Sequence, residues 1–167
     1  MSFKEKKSTK LSYLIRIPDN IDDLKNVNII FFIHGYGDSM KGISQIGNLL
    51  NPENIHVFFN APFKMDVGFG TEGFRWFEFP SNEDEFKFSQ QAISQTISEI
   101  LNDIKFNIKG IFIGGFSQGG MMTLHNNYNE KVDGLIILGS QLFYENKEFN
   151  LKKKTKIFMS HGTYDPI

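Results

Sequence analysis

Cysteine is missing from all 167 residues. That absence excludes a disulfide scaffold, a thiolate metal site and a cysteine nucleophile, and it fits a reducing compartment. An excess of one charge is also lacking: 18 basic and 19 acidic side chains leave a net charge of −1. Such a balance carries no electrostatic footprint for nucleic acid or for an anionic membrane. No apolar run approaches the roughly 18 residues of a membrane span. Residues 1–10 are polar and lysine-rich where a secretory leader would carry an apolar centre. A soluble, cytoplasmic protein with no integral membrane segment and no nucleic-acid partner is expected. Composition is silent on oligomeric state. Residues 1–10 read as a polar N-terminal segment and residues 11–167 as one domain, long enough for one sizeable core.

Phenylalanine, in contrast, is abundant at 18 residues. It can fill a core or line an apolar pocket. Strand-like and helix-like segments alternate along the chain. Leu11 to Ile17 alternates apolar and polar residues and stops at Pro18, as an edge strand does. Val27 to Ile33 is continuously apolar and reads as a strand buried on both faces. Ile43 to Leu50 suits a short helix, and Ile55 to Phe59 another strand. Phe63 to Pro80, dense in glycine and aromatics, reads as an irregular excursion. Ile93, Ile97, Ile100, Leu101 and Ile104 share one face of a helix spanning Phe86 to Ile104. Further strands follow at Gly110 to Gly114, Gly134 to Leu138 and Lys156 to Ser160, with a helix from Gln118 to about Asn126. Strands separated by helices indicate an α/β fold: a mostly parallel sheet with helices on both faces. In such sheets ligands bind beyond the carboxyl ends of the strands.

Chemically suggestive residues fall at those ends. Gly115-Phe116-Ser117-Gln118-Gly119 joins a strand to a helix in the G-x-S-x-G pattern. The sharp turn lifts the serine oxygen clear of the sheet, and the helix N-terminus behind it offers free N–H groups to developing negative charge. His34-Gly35-Tyr36-Gly37-Asp38 directly follows the buried strand Val27 to Ile33. A glycine-rich loop there can present an amide to an oxyanion, so Tyr36 and Gln118 are the expected oxyanion N–H donors. His161-Gly162-Thr163-Tyr164-Asp165 follows the strand Lys156 to Ser160, and a carboxylate at Asp165 can orient a catalytic histidine. The aromatic excursion, with Phe69, Phe74, Trp76 and Phe77, forms either one wall of an acyl pocket or a loop packed on the core. No His/Asp/Glu cluster has metal-ligand spacing and no phosphate-cradling loop is present, so neither a metal nor another cofactor is expected.

Three segments together resemble the phospholipase/carboxylesterase family of α/β-hydrolases, which includes the acyl-protein thioesterases: the loop HGYGD at 34–38, GGFSQGG at 114–120 and HGTYD at 161–165. Trp76-Phe77 is similar to a Trp-Phe pair in that family. The resemblance runs from about residue 11 to the end. It implies an α/β-hydrolase fold, Ser117 as nucleophile, Asp165 as the triad acid, and a small-molecule ester or thioester substrate carrying an acyl chain.

One departure is expected. The family's triad histidine should follow Asp165 after a further helix and strand, roughly 25 to 35 residues at average element lengths, and the sequence stops at Ile167. The domain therefore reads as C-terminally incomplete, with an uncovered sheet edge. His125, eight residues past Ser117, would lie about 12 Å along the helix axis; His56 opens a strand at the opposite end; His34 and His161 are each expected to brace their own loops. Three readings stay open: a fragment of an active hydrolase, a degenerate homologue with little catalysis, and a module that binds an apolar ligand or a partner.

Overall fold

The segment Val-Asn-Ile-Ile-Phe-Phe-Ile has apolar side chains on both sides of its pleat, and only a strand in mid-sheet can bury both. It becomes β3 (Val27–Ile33), flanked by β4 (Ile55–Phe59) and β7 (Ile108–Phe116), both parallel to it. The computed structural model describes residues 3–21, 26–80, 82–143 and 155–165. Around the central trio lie β1 (Lys4–Lys7), β2 (Ser12–Arg16), β8 (Gly134–Leu138) and β9 (Lys156–Ser160), in the order β1-β2-β4-β3-β7-β8-β9. The pairs β1/β2 and β2/β4 are antiparallel and the others parallel.

Register decides which side chains share a face. Ile15, Val57, Phe31, Ile113 and Leu135 point to one side, towards the 21-residue helix α2 (Glu83–Asp103) and towards α3 (Gln118–His125). Leu14, Phe58 and Phe32 point to the other, where Met40 of the one-turn α1 (Met40–Ile43) covers them; a 3-10 turn, Ser44–Asn48, follows directly. Helices thus lie on both faces. Helix α2 starts where Asn82 accepts the Glu85 amide, with three acidic residues in the first turn to suit the helix dipole. It buries Phe86, Ile93, Ile97 and Ile100, at roughly 1.5–3 kcal/mol for each such side chain.

Three expectations change. Ser12–Arg16 is not an edge strand, because Lys4–Lys7 pairs outside it; the lysine-rich stretch supplies the charged, exposed edge that discourages further pairing. The excursion is not wholly irregular: β5 (Phe63–Asp66) and β6 (Glu72–Arg75) form a separate antiparallel hairpin. The expected short helix is one α turn run into a 3-10 turn. The opposite sheet edge, β9, has all five residues exposed, including Ile157, Phe158 and Met159. No helix among the described residues is long and apolar enough to cross a membrane.

Far from the carboxyl edge, Arg16 reaches Nδ1 of the fully buried His56. Burial first, and the Arg16 charge second, hold His56 down to about 4 from its ordinary 6.5. A folded value below the unfolded one means the fold favours neutral imidazole. That stabilisation is complete above about 6.5 and disappears as pH falls through 4. Buried His34 is shifted the same way. Urea unfolding should therefore show a loss of stability on the order of 2–3 kcal/mol between these limits. His56→Asn should make that slope shallower without removing it; an unchanged slope would separate the acid sensitivity from His56.

Candidate active site

Strand β7 turns into α3 through Ser117, whose backbone sits at φ 50°, ψ −119°. A non-glycine residue adopts this left-handed region only where its surroundings enforce it. Here they do. A Cβ on Gly115 would lie 2.2 Å from Gly119 O, and one on Gly119 would lie 2.1 Å from Ile33 O. Only glycine lets strand, turn and helix approach this closely. The Ser117 amide donates to Leu138 O (3.0 Å), and the Ser140 hydroxyl donates to Ser117 O (2.7 Å). The serine side chain is left half-buried, with no hydrogen bond to its hydroxyl among the described residues.

The loop 34–38 lies directly alongside: a Cβ on Gly35 would stand 3.4 Å from Ser117 Cβ. His34 is fully buried and uses both ring nitrogens. Its Nε2 accepts from the Ala61 amide (3.1 Å), which leaves Nδ1–H to donate to Gly35 O (2.7 Å). Burial is the main reason its pKa lies below the ordinary value. Beyond it, Gly37 donates to Phe74 O and Phe74 donates to Asp38 O, both at 2.9 Å, so β6 clamps the loop. The Tyr36 hydroxyl donates to Glu78 (2.8 Å), which Arg75 pairs at 2.9 Å. The Tyr36 amide meets no acceptor among the described residues. The Gln118 amide opens α3, where no preceding turn can accept it.

The Gln118 side chain, fully buried, accepts from the Trp76 amide (2.9 Å) and donates to Phe77 O (2.8 Å). The Trp76 indole donates to His34 O (2.8 Å), and Ser89 donates to Trp76 O (2.5 Å). Trp76 and Phe77 are therefore fully buried core braces, and Phe74 packs partly buried against the same core while its backbone clamps the loop. Phe69 stands fully exposed at the tip of the β5–β6 hairpin, so among the described residues it forms no pocket wall.

Asp165 lies beyond β9. Its Oδ2 is 3.8 Å from where a Gly139 Cβ would be, next to the Leu138 carbonyl that receives the Ser117 amide. Ser117, Gln118 and Tyr36 are brought together, and Asp165 stands at the neighbouring strand ends. None of the four histidines hydrogen-bonds the Ser117 hydroxyl. His34 braces its loop and His56 faces Arg16, while His125 accepts from the Phe143 amide (3.1 Å). His161 places Nε2 3.6 Å from Asp165.

Residues 21–167 match the phospholipase/carboxylesterase family. The chain belongs to that family. It is 30% identical to acyl-protein thioesterase 1 of Kluyveromyces lactis over 92% of this chain and 75% of that protein. Against acyl-protein thioesterase 1 of Debaryomyces hansenii the identity is 33%, over 83% of this chain and 69% of the relative. The Bacillus cereus carboxylesterase superposes with a TM-score of 0.72 at 16% identity, covering 95% of this chain and 74% of that one, a likeness of fold. The α/β-hydrolase architecture expected of the sequence is thus the one observed.

Two members of the site escaped the sequence reading of this family member. Ser140, two residues past β8, obeys the same strand-end rule that singled out Ser117. The Gln118 side chain was visible only as part of GFSQGG. Among the described residues no group of acidic or histidine side chains could hold a metal ion.

Gln118→Leu preserves volume but leaves the Trp76 amide and the Phe77 carbonyl without partners inside the core. Two such losses should lower unfolding stability by about 2–5 kcal/mol in urea titration. A change below about 0.5 kcal/mol, typical of a surface substitution, would show that the bridge carries no weight.

Proposed function

We propose that this chain carries the acyl-transfer site of a carboxylic ester or thioester hydrolase, with Ser117 as nucleophile. The strained turn at Ser117, set beside the 34–38 loop, is the observation that supports this most directly. In this reading Ser117 Oγ attacks the acyl carbonyl carbon as its proton leaves to a base. The amides of Tyr36 and Gln118 hold the resulting oxyanion. Collapse expels the alcohol or thiol, and water then cleaves the acyl-serine. Asp165 is the acid that would orient and stabilise a protonated histidine. The substrate is a small acyl ester or thioester, and a cytoplasmic setting suits the lack of cysteine.

A second reading is favoured for these 167 residues taken alone: binding with little catalysis. Its basis is that no histidine hydrogen-bonds the Ser117 hydroxyl: His34, His56 and His125 have partners elsewhere, and His161 faces Asp165. Without a base the hydroxyl stays protonated and reacts poorly.

Two measurements separate the possibilities. Prolonged exposure to an alkyl fluorophosphonate should modify Ser117 slowly and in preference to the other serines, with the adduct absent from Ser117→Ala; modification spread over many serines would remove Ser117 from the role. Turnover of p-nitrophenyl esters should stay near the uncatalysed rate. Robust turnover abolished by His161→Ala or His34→Ala would identify a base within the chain.

A further inference from the structure

The chain has two arginines, and their surroundings differ in kind. Arg75 meets Glu78 at 2.9 Å and Glu85 at 3.0 Å. Arg16 is only 7% exposed and meets no carboxylate among the described residues. Arginine is seldom buried in this way, because its charge gives up hydration and gains no counter-charge. What Arg16 meets instead is the fully buried His56, through Nη2 and the histidine Nδ1. A guanidinium can only donate, so Nδ1 is the bare ring nitrogen and the proton sits on Nε2. That Nε2–H finds no acceptor, and neither does Arg16 Nε–H; both atoms are sealed from solvent. The pair thus carries a full positive charge and unmatched donors, with no acceptor.

The surroundings of the guanidinium decide where an acceptor can approach. The Phe3 ring lies over its face, 5.6 Å from centroid to Cζ, and meets Phe58 edge-on at 5.4 Å, so that face is covered. Nη2 is engaged and Nε is sealed. Nη1 remains: it has no partner among the described residues and is not among the sealed atoms. Its N–H groups lie in the guanidinium plane, the direction from which oxoanions bind arginine. Arg16 is the last residue of β2 and His56 the second of β4, and the two are paired in register. They stand at the sheet end away from Ser117.

We propose that Arg16, backed by His56, forms a binding site for a small oxoanion, which accepts from the guanidinium edge at Nη1. Water or another neutral ligand would supply acceptors but leave the buried charge uncompensated, whereas an oxoanion answers both needs. The site shares no residue with the Ser117 site, so the inference goes beyond the hydrolase reading and does not rest on it.

The test uses the full chain at neutral pH and fixed ionic strength, with inorganic phosphate or acetate exchanged against chloride. At least one of the two oxoanions should raise the thermal unfolding midpoint by about 2–4 °C over chloride, as for a ligand of the folded state held several-fold above its dissociation constant. Arg16→Met, which keeps an apolar stem, should abolish that shift. The ring nitrogen resonances of His56 give a readout that needs no variant: they should move saturably with the same anion, while those of buried His34 stay in place. Equal midpoints in all three salts, a stationary His56 signal, or a shift that persists in Arg16→Met would each overturn the proposal. Esterase and fluorophosphonate results do not enter these readouts, so failure here is separable from failure of the hydrolase reading.

Discussion

One buried side-chain amide holds the site together. Gln118 clasps the backbone at Trp76 and Phe77, and the Trp76 indole carries the connection on to the His34 carbonyl. Three pieces of chain far apart in sequence are thereby fixed: the first turn of α3, the connection after the hairpin, and the loop beside Ser117. All of these groups are buried, so each hydrogen bond acts where water cannot replace it. The strained serine backbone persists because the surrounding contacts over-determine it. Ser140 holds it from one side and the glycine-only approach of β7 to α3 from the other.

The arrangement is asymmetric. The parts that the proposed reaction would use to hold negative charge are assembled: a serine on a sharp turn, a helix N-terminus behind it, and a clamped loop with an amide that has no acceptor among the described residues. The part that removes a proton is not assembled among the described residues. His34 spends one nitrogen on Gly35 of its own loop and the other on the Ala61 amide, and His161 faces Asp165 without hydrogen-bonding Ser117. The family relatives named above are longer than the region they share with this chain, which spans 75% of one and 69% of the other.

Much of this was legible in the sequence, and the reasons differ by element. Strands buried on both faces announce themselves as apolar runs, so β3, β4 and β8 fell where expected; β9 also has the expected bounds, but it was read as a buried strand and lies exposed at the sheet edge. The strand-turn-helix at Ser117 was legible because its glycines are sterically obligatory. The hairpin was not: its strands are only four residues long, and although Phe63-Lys64-Met65-Asp66 alternates, its partner Glu72-Gly73-Phe74-Arg75 offers a single apolar side chain. The strand Lys4–Lys7 was hidden because an exposed edge needs no apolar face. Composition could not sort the aromatics either. Trp76 and Phe77 went to the core and Phe69 to solvent, a division set by where β6 meets the loop at Asp38 and Phe74.

The central claim is that nucleophile and oxyanion amides are in place and that a base is what the described site lacks. Added imidazole tests it most directly. Imidazole alone cleaves p-nitrophenyl acetate, so the quantity to measure is the excess rate of the wild-type chain over Ser117→Ala at each imidazole concentration. The account predicts an excess that grows with imidazole and saturates with ester. Equal rates for the two proteins throughout would contradict it.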